Sequence, residues 1–246
     1  MLLQVALNGG LAKDDHPAVP TSPEELADDA VACVEAGARA FHLHPRDAQG
    51  RERLDAEVVD EVVIKVREAC GVPVGVTTGA WIEPDLPRRL ELVRAWQAPD
   101  YATVNLSEPG ATEIMKALTD TGIGIEAGVR TVADAELLAG WELADGSVLA
   151  DGLRRICVRP TAVSPAEAAA FVEEIHAVLD GAGLTTPRLQ HGDGEAAWVV
   201  LADAVRRGLD TRVGLEDTLH EPGGELTTGN EGLVRAAREL GAGLRT

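Results

Sequence analysis

The residues best able to do chemistry lie in the stretch FHLHPRD, residues 41 to 47, where two of the chain's six histidines stand one residue apart. In an extended strand the side chains alternate, so Ala40, His42 and His44 share one face and Phe41 and Leu43 the other. Same-face neighbours lie about 6.5 to 7 Å apart along a strand, a span two imidazoles close by converging on one metal ion at ~2.1 Å. Pro45 stops the strand directly after His44. In TRVGLED, residues 211 to 217, the same alternation turns Arg212, Gly214 and Glu216 inward, which supplies a carboxylate as third ligand. Two histidines, one carboxylate and an open position form a catalytic divalent-metal pattern that suits zinc. Asp217 follows directly and Arg212 lies below it, so an Arg-Asp pair stands beside the expected metal. On spacing alone, two satisfied core histidines and a structural ion pair are the competing readings of these residues.

Other polar residues fall at the ends of expected strands. Thr77 and Thr78 in VTTGAW and Asn105 in VNLS are placed to hydrogen-bond substrate oxygens, although threonine also follows from strand propensity. Glu126 in IGIEAG points inward, and an inward acid needs a partner. His191 in LQHGDG follows the seventh strand, beside a sequence that also reads as a turn. His16, His176 and His220 read as surface or loop histidines.

These residues are positioned by a repeating pattern. Short β-branched or apolar runs alternate with stretches of helical period: LLQVALN precedes SPEELADDAVACVEAG, and ARAFHLH precedes DAEVVDEVVIKVREAC. Eight such units fill the chain, ending with TRVGLED and TGNEGLVRAARELG. About 250 residues in eight units is the size of a closed (β/α)8 TIM barrel, whose active sites form at the carboxyl ends of the strands. Ser22-Pro23 and Ser164-Pro165 each place a capping serine before a proline at the first helical position. The alternative is an open doubly wound sheet, but no glycine-rich phosphate loop follows the first strand. No linker or low-complexity tract divides residues 1 to 246, so one catalytic domain is expected.

Composition narrows the partners. The chain has 246 residues, 45% of them hydrophobic, enough for one large core. A formal net charge of -19 repels phosphate backbones and anionic lipid, which argues against nucleic-acid and membrane partners. No apolar run nears the roughly 20 residues of a membrane span, and the start lacks a basic leader, so a soluble, cytoplasmic protein is expected. An anionic substrate must then be met by a local arginine cluster. Lys13, Lys65 and Lys116 are the only lysines among 22 basic residues, the rest being arginine. Cys33, Cys70 and Cys157 are widely spaced and read as reduced core thiols.

Several segments, PTSPEELADDAVACVEAGARAFHLHPRD, VTTGA, GIGIEAG and TRVGLEDT with TGNEGLV, resemble the beta-keto acid cleavage enzymes in order along nearly the whole chain. The resemblance implies a zinc-dependent TIM barrel that takes a beta-keto acid and acetyl-CoA and gives acetoacetate plus a new acyl-CoA. It implies that His42, His44 and Glu216 hold zinc and that Arg212 and Asp217 form the base dyad. It also implies that Glu126, Thr77 and Asn105 line the substrate site, and a homo-oligomer, dimer or tetramer, is the expected assembly. Two departures stand out. A family member that takes a 5-amino substrate carries a glutamate in its first loop where this chain has Gly10-Leu11, so a cationic substrate is not expected. The family's Gly-x-Gly-Arg after strand seven reads HGDGE here, with Glu195 at the arginine position.

Two other classes compete. A metal-dependent hydrolase of the amidohydrolase type also uses an HxH at a barrel strand end, but normally on the first strand. A non-catalytic barrel that binds a metabolite is the other. A Schiff-base aldolase is disfavoured because no lysine lies at an expected strand end.

Overall fold

A computed structural model describes residues 1–144, 152–161 and 164–244. The strands β1 (Leu3–Ala6), β2 (Ala40–Leu43), β3 (Val74–Thr77), β4 (Tyr101–Asn105), β5 (Gly124–Val129), β6 (Leu153–Val158), β7 (Arg188–Gln190) and β8 (Asp210–Val213) pair in chain order, all parallel. β8 pairs back onto β1, with Gln4 opposite Arg212, and this closure turns the sheet into a TIM barrel and excludes the open alternative. The helices are α1 (Pro23–Ala36), α2 (Ala56–Cys70), α3 (Leu86–Arg94), α4 (Ala111–Thr121), α5 (Val132–Ala144), α6 (Pro165–Gly181), α7 (Ala197–Arg207) and α8 (Asn230–Glu239). Among the described residues no helix is long and apolar enough to cross a membrane.

The outward positions of the strands, such as Val5, Phe41, Leu43, Val74 and Val76, are fully buried under the helices. Each helix meets them with an apolar stripe; α2 buries Val59, Val62, Val63 and Val66, one face of a 3.6-residue period. Both serine caps form. The Ser22 hydroxyl accepts from the backbone of Glu25, whose carboxylate returns the bond, and Ser164 accepts from Glu167. Each such cap contributes about 1 kcal/mol.

The inward positions carry polar groups in layers. At the floor, the Gln4 amide donates to the Tyr101 hydroxyl at 2.8 Å and to Glu126 at 3.1 Å, and Arg155 pairs with Glu126 at 3.2 Å. Tyr101 donates to the carbonyl of Phe41. Above this floor lie His42, Thr103 and Cys157, and the mouth of the barrel opens beyond them.

The strand alternation does not run on to Glu216. β8 stops at Val213, and the chain then turns tightly, with the amides of Asp217 and Thr218 both donating to the Gly214 carbonyl. A Cβ at position 214 would lie 2.1 Å from the carbonyl oxygen of Ala6, so only glycine lets the turn press this close to β1. Asn230, at the start of α8, fixes the same turn. Its side chain accepts from Leu215 and donates to the carbonyl of Leu7 and to Asp29, tying β1, α1 and α8 to the turn after β8.

Candidate metal centre and active site

His42 and His44 both turn into the mouth of the barrel and are buried, with ring centres 5.2 Å apart and planes at 77°. Asn8 clamps His44 just past the strand end, donating to its carbonyl at 3.0 Å and accepting from its amide at 2.9 Å. Glu216 enters from the turn after β8. Its Oε2 lies 3.5 Å from His42 Nε2 and 3.6 Å from His44 Nε2. Ligand atoms held about 2.1 Å from a tetrahedral ion lie about 3.4 Å from one another, so these spacings suit a single metal. Oε2 is buried and has no hydrogen-bond partner, as an oxygen kept for a cation would be. Among the described residues these three side chains alone form a cluster able to hold a metal ion.

Each imidazole is oriented from behind by a carboxylate. His44 Nδ1 meets Glu52 Oε1 at 2.5 Å, and Trp81 donates to the other oxygen of Glu52 at 3.2 Å while its ring stacks 6.0 Å from His44. His42 Nδ1 lies 3.2 Å from the Thr103 hydroxyl, which is itself 3.2 Å from Glu126. With Nδ1–H donating to Thr103 and Thr103 donating to Glu126, both Nε2 lone pairs are left facing the cluster. Burial, ahead of every other influence, pulls the His42 pKa down to about 3, so the ring is neutral and able to bind metal at pH 7.

Arg212 holds both acids of the β8 turn. It grips Asp217 through two bonds of 3.0 and 2.7 Å and donates to Glu216 Oε1 at 2.6 Å. Burial alone would raise both carboxyl pKa values, but Arg212 and the neighbouring histidines together more than offset it. Glu216 and Asp217 are held well below the usual carboxylate range. His191, almost fully buried, lies 3.4 Å from Asp217. Burial and then the Arg212 charge lower its pKa, so it stands neutral beside the pair.

The cavity over these groups encloses about 510 Å³ of open space, including solvent at its mouth. His42, His44, Glu216, Arg212, Thr77 and Asn105 all line it. Thr78 and Glu126 do not. The Thr78 hydroxyl is spent on the carbonyl of Thr103, and Glu126 lies one layer down with both oxygens partnered. Asp217 is likewise set behind Arg212 rather than on the cavity wall, and lines a larger trough on the β7–β8 side with Trp198, Glu195 and Leu11. Of the first-loop residues, Asp14 and Asp15 are exposed and neither borders the metal cavity.

Two histidines read as surface residues are buried instead. His16 accepts from the amide of Ala18 and its far nitrogen donates to the carbonyl of Thr227; His176 is held between Arg188 and Gln190. Both sit where a loop or helix is covered by another segment, which local sequence does not show. Reasoning from sequence also missed Glu52, Trp81, Thr103, Arg130 and Arg159. Thr103, Arg130 and Arg159 were within reach, since they continue the inward alternation through Asn105, Glu126 and Cys157. Glu52 comes from the loop after β2, where no periodicity applies.

Fold and site together define a (β/α)8 barrel with a candidate two-histidine, one-carboxylate metal centre at the carboxyl ends of its strands. The chain belongs to the beta-keto acid cleavage enzyme family, whose model it matches over residues 1–245. It is 24% identical over 269 residues to a 3,5-dioxohexanoate:acetyl-CoA acetone transferase of Paraburkholderia graminis, covering 93% of this chain and 85% of that protein. A 3-keto-5-aminohexanoate cleavage enzyme of Fusobacterium nucleatum is 26% identical, covering all of this chain and 94% of the relative. The apo structure of ObcA shares the fold with a TM-score of 0.73 at 17% identity, covering 94% of this chain. This chain spans 64% of the length of ObcA.

Proposed function

We propose that this protein is a zinc-dependent acyltransferase that exchanges the acyl group of a beta-keto acid with acetyl-CoA. The overall exchange is R–CO–CH2–COO⁻ plus CH3–CO–S–CoA giving R–CO–S–CoA plus CH3–CO–CH2–COO⁻. The observation that carries this reading is Glu216 Oε2, buried without a partner between the Nε2 atoms of His42 and His44. His42, His44 and Glu216 would hold a zinc ion, which would supply Lewis-acid polarisation to a bound beta-keto acid.

The remaining work falls to the chain. Asp217 takes up the C2 proton from behind the cavity wall, by way of His191, which lines the cavity 3.4 Å from it, and Arg212 sets its orientation through two bonds. Two bonds fix a carboxylate in a plane, so Asp217 acts from one direction only. Arg212 also faces the cavity and meets negative charge that develops on the substrate. Thr77 and Asn105 offer polar groups along the β3 and β4 ends to orient the acid. Asn105 is pre-aimed by donating to Glu108 at 2.6 Å. Neutral His191 on the opposite flank of Asp217 is placed to pass the proton on.

The test is incubation with acetyl-CoA and a panel of beta-keto acids, with mass spectrometry of the products. Acetoacetate and a new acyl-CoA in equal amounts are expected. Free acids with no new thioester would point to hydrolysis of the amidohydrolase kind, and tight binding without turnover to a metabolite-binding barrel.

A further inference from the structure

Across the barrel mouth from the histidines stand two arginines that the exchange chemistry leaves without a task. Arg130 follows β5 and Arg159 follows β6, each one step beyond the strand on the inward alternation. In an eight-stranded barrel β6 lies four strands from β2, the diametrically opposite position. Both arginines line the same cavity as His42, His44 and Glu216.

Among the described residues the charge of Arg130 has no paired acid. Arg130 Nε is buried with no hydrogen-bond partner, and among the described residues Arg130 forms no ion pair. The acids near it direct their hydrogen bonds elsewhere. Asp134 accepts from the amides of Arg130 and Thr131, while Glu108 accepts from Asn105 and the amide of Ala80. Arg159 pairs with Asp193 at 2.8 Å, yet its guanidinium stays close enough to Arg130 that, after burial, it is the next influence lowering the Arg130 pKa. Three arginines and one glutamate are the charged residues on the wall, in a chain of net charge -19. Arg212 is bonded to Asp217 and Glu216, whereas no acid among the described residues pairs with the Arg130 guanidinium.

We infer that Arg130 and Arg159 bind a second carboxylate at the far end of the substrate, so that the preferred substrates are dicarboxylic 3-oxo acids. This rests on the reading that the cavity accepts a beta-keto acid. The reacting carboxylate and keto group occupy the histidine side, and the acyl tail spans the mouth toward β5 and β6. Two half-buried cations facing one another are stabilised by an anion that joins them, which is why a neutral tail fits this wall poorly.

The experiment uses the zinc-loaded full chain with acetyl-CoA and two acids of equal length, 3-oxohexanedioate and 3-oxohexanoate. The dicarboxylate is expected to have at least a tenfold higher kcat/KM, in line with loss of a charged hydrogen bond. Arg130→Gln and Arg159→Gln are each expected to bring that ratio about tenfold closer to one, and Arg130→Lys to keep part of it. Calorimetric titration of both acids without acetyl-CoA gives the second readout and should show the same preference in Kd. Equal kcat/KM and equal Kd for the two acids in the wild-type protein overturn the inference, whatever the variants do. So do variants that raise the KM for acetyl-CoA and slow both acids alike, which would make the arginines a site for coenzyme phosphate. If neither acid is turned over, the exchange reaction fails, and the two Kd values still decide whether the arginines select a dianion.

Discussion

Glu126 and Glu216 are both inward carboxylates facing an arginine, one on the floor of the barrel and one at its mouth. On the floor, every oxygen of Glu126 is occupied: Thr103 donates to one, Gln4 and Arg155 to the other. At the mouth, Arg212 takes a single oxygen of Glu216 and leaves the second bare between two imidazoles. A satisfied buried ion pair holds structure in place, and removing one partner strands the other charge. A half-satisfied one is a vacancy in a hydrogen-bond network, and such vacancies mark places where a ligand completes the structure. The same residue type is therefore fully satisfied on β5 and left half-satisfied three strands round, beyond β8.

That contrast breaks most visibly at the histidines. The double variant His42→Ala, His44→Ala is expected to fall from about one zinc per chain to essentially none by elemental analysis. Equal metal content in both proteins would show that the mouth cluster is not a metal site. At the floor, Glu126→Ala leaves Arg155 buried and unpaired and is expected to cost about 3 to 5 kcal/mol in urea denaturation. Glu216→Gln in metal-free protein should cost about 1 kcal/mol or less, because the oxygen it changes makes no hydrogen bond. Similar losses for the two variants would erase the distinction between floor and mouth.

A smaller effect sharpens the mouth itself. Asp217→Asn preserves shape but cannot take the C2 proton, so turnover is expected to drop by about 10²-fold while zinc content stays near one. Near wild-type turnover would move the base role to His191, the other titratable group against Asp217.

The smallest effect concerns a carboxylate with no cation opposite. Burial raises Asp29 to about 6, although Asn230 and Cys33 hydrogen-bond to it. A carboxyl whose pKa rises on folding binds its proton more tightly in the native state. Its contribution is full below about pH 4 and is lost as pH climbs through about 6. The wild-type protein should therefore lose on the order of 1 kcal/mol of stability over that window relative to Asp29→Asn, read from denaturation midpoints at pH 4 and pH 7. Parallel pH profiles would refute it.

Much of this was legible in the sequence where backbone geometry dictates side-chain direction. Period-two alternation placed His42, His44, Glu126 and Arg212 inward, and eight repeats predicted closure. What periodicity could not supply was everything decided beyond strand ends. Glu216 reaches the site from a turn, not from β8, and Thr78 points away because its hydroxyl finds the Thr103 carbonyl. Glu52 and Trp81 belong to loops whose course depends on what they pack against. His16 and His176 were misread for the same reason, since a covering segment distant in sequence buries each of them.

The turn that carries Glu216 has a consequence for how the protein is made. The candidate ligands come from β2 and from beyond β8, and Asn230 of α8 pins the turn between them. A ribosome-bound chain that has exposed only His42 and His44 holds two thirds of a chelate and nothing to orient the rest. Metal uptake by such a site would then wait until α8 has emerged and docked, so a bound metal would report that synthesis has passed Asn230. Fragments truncated before that residue should bind zinc weakly, even when most of the strands are already present.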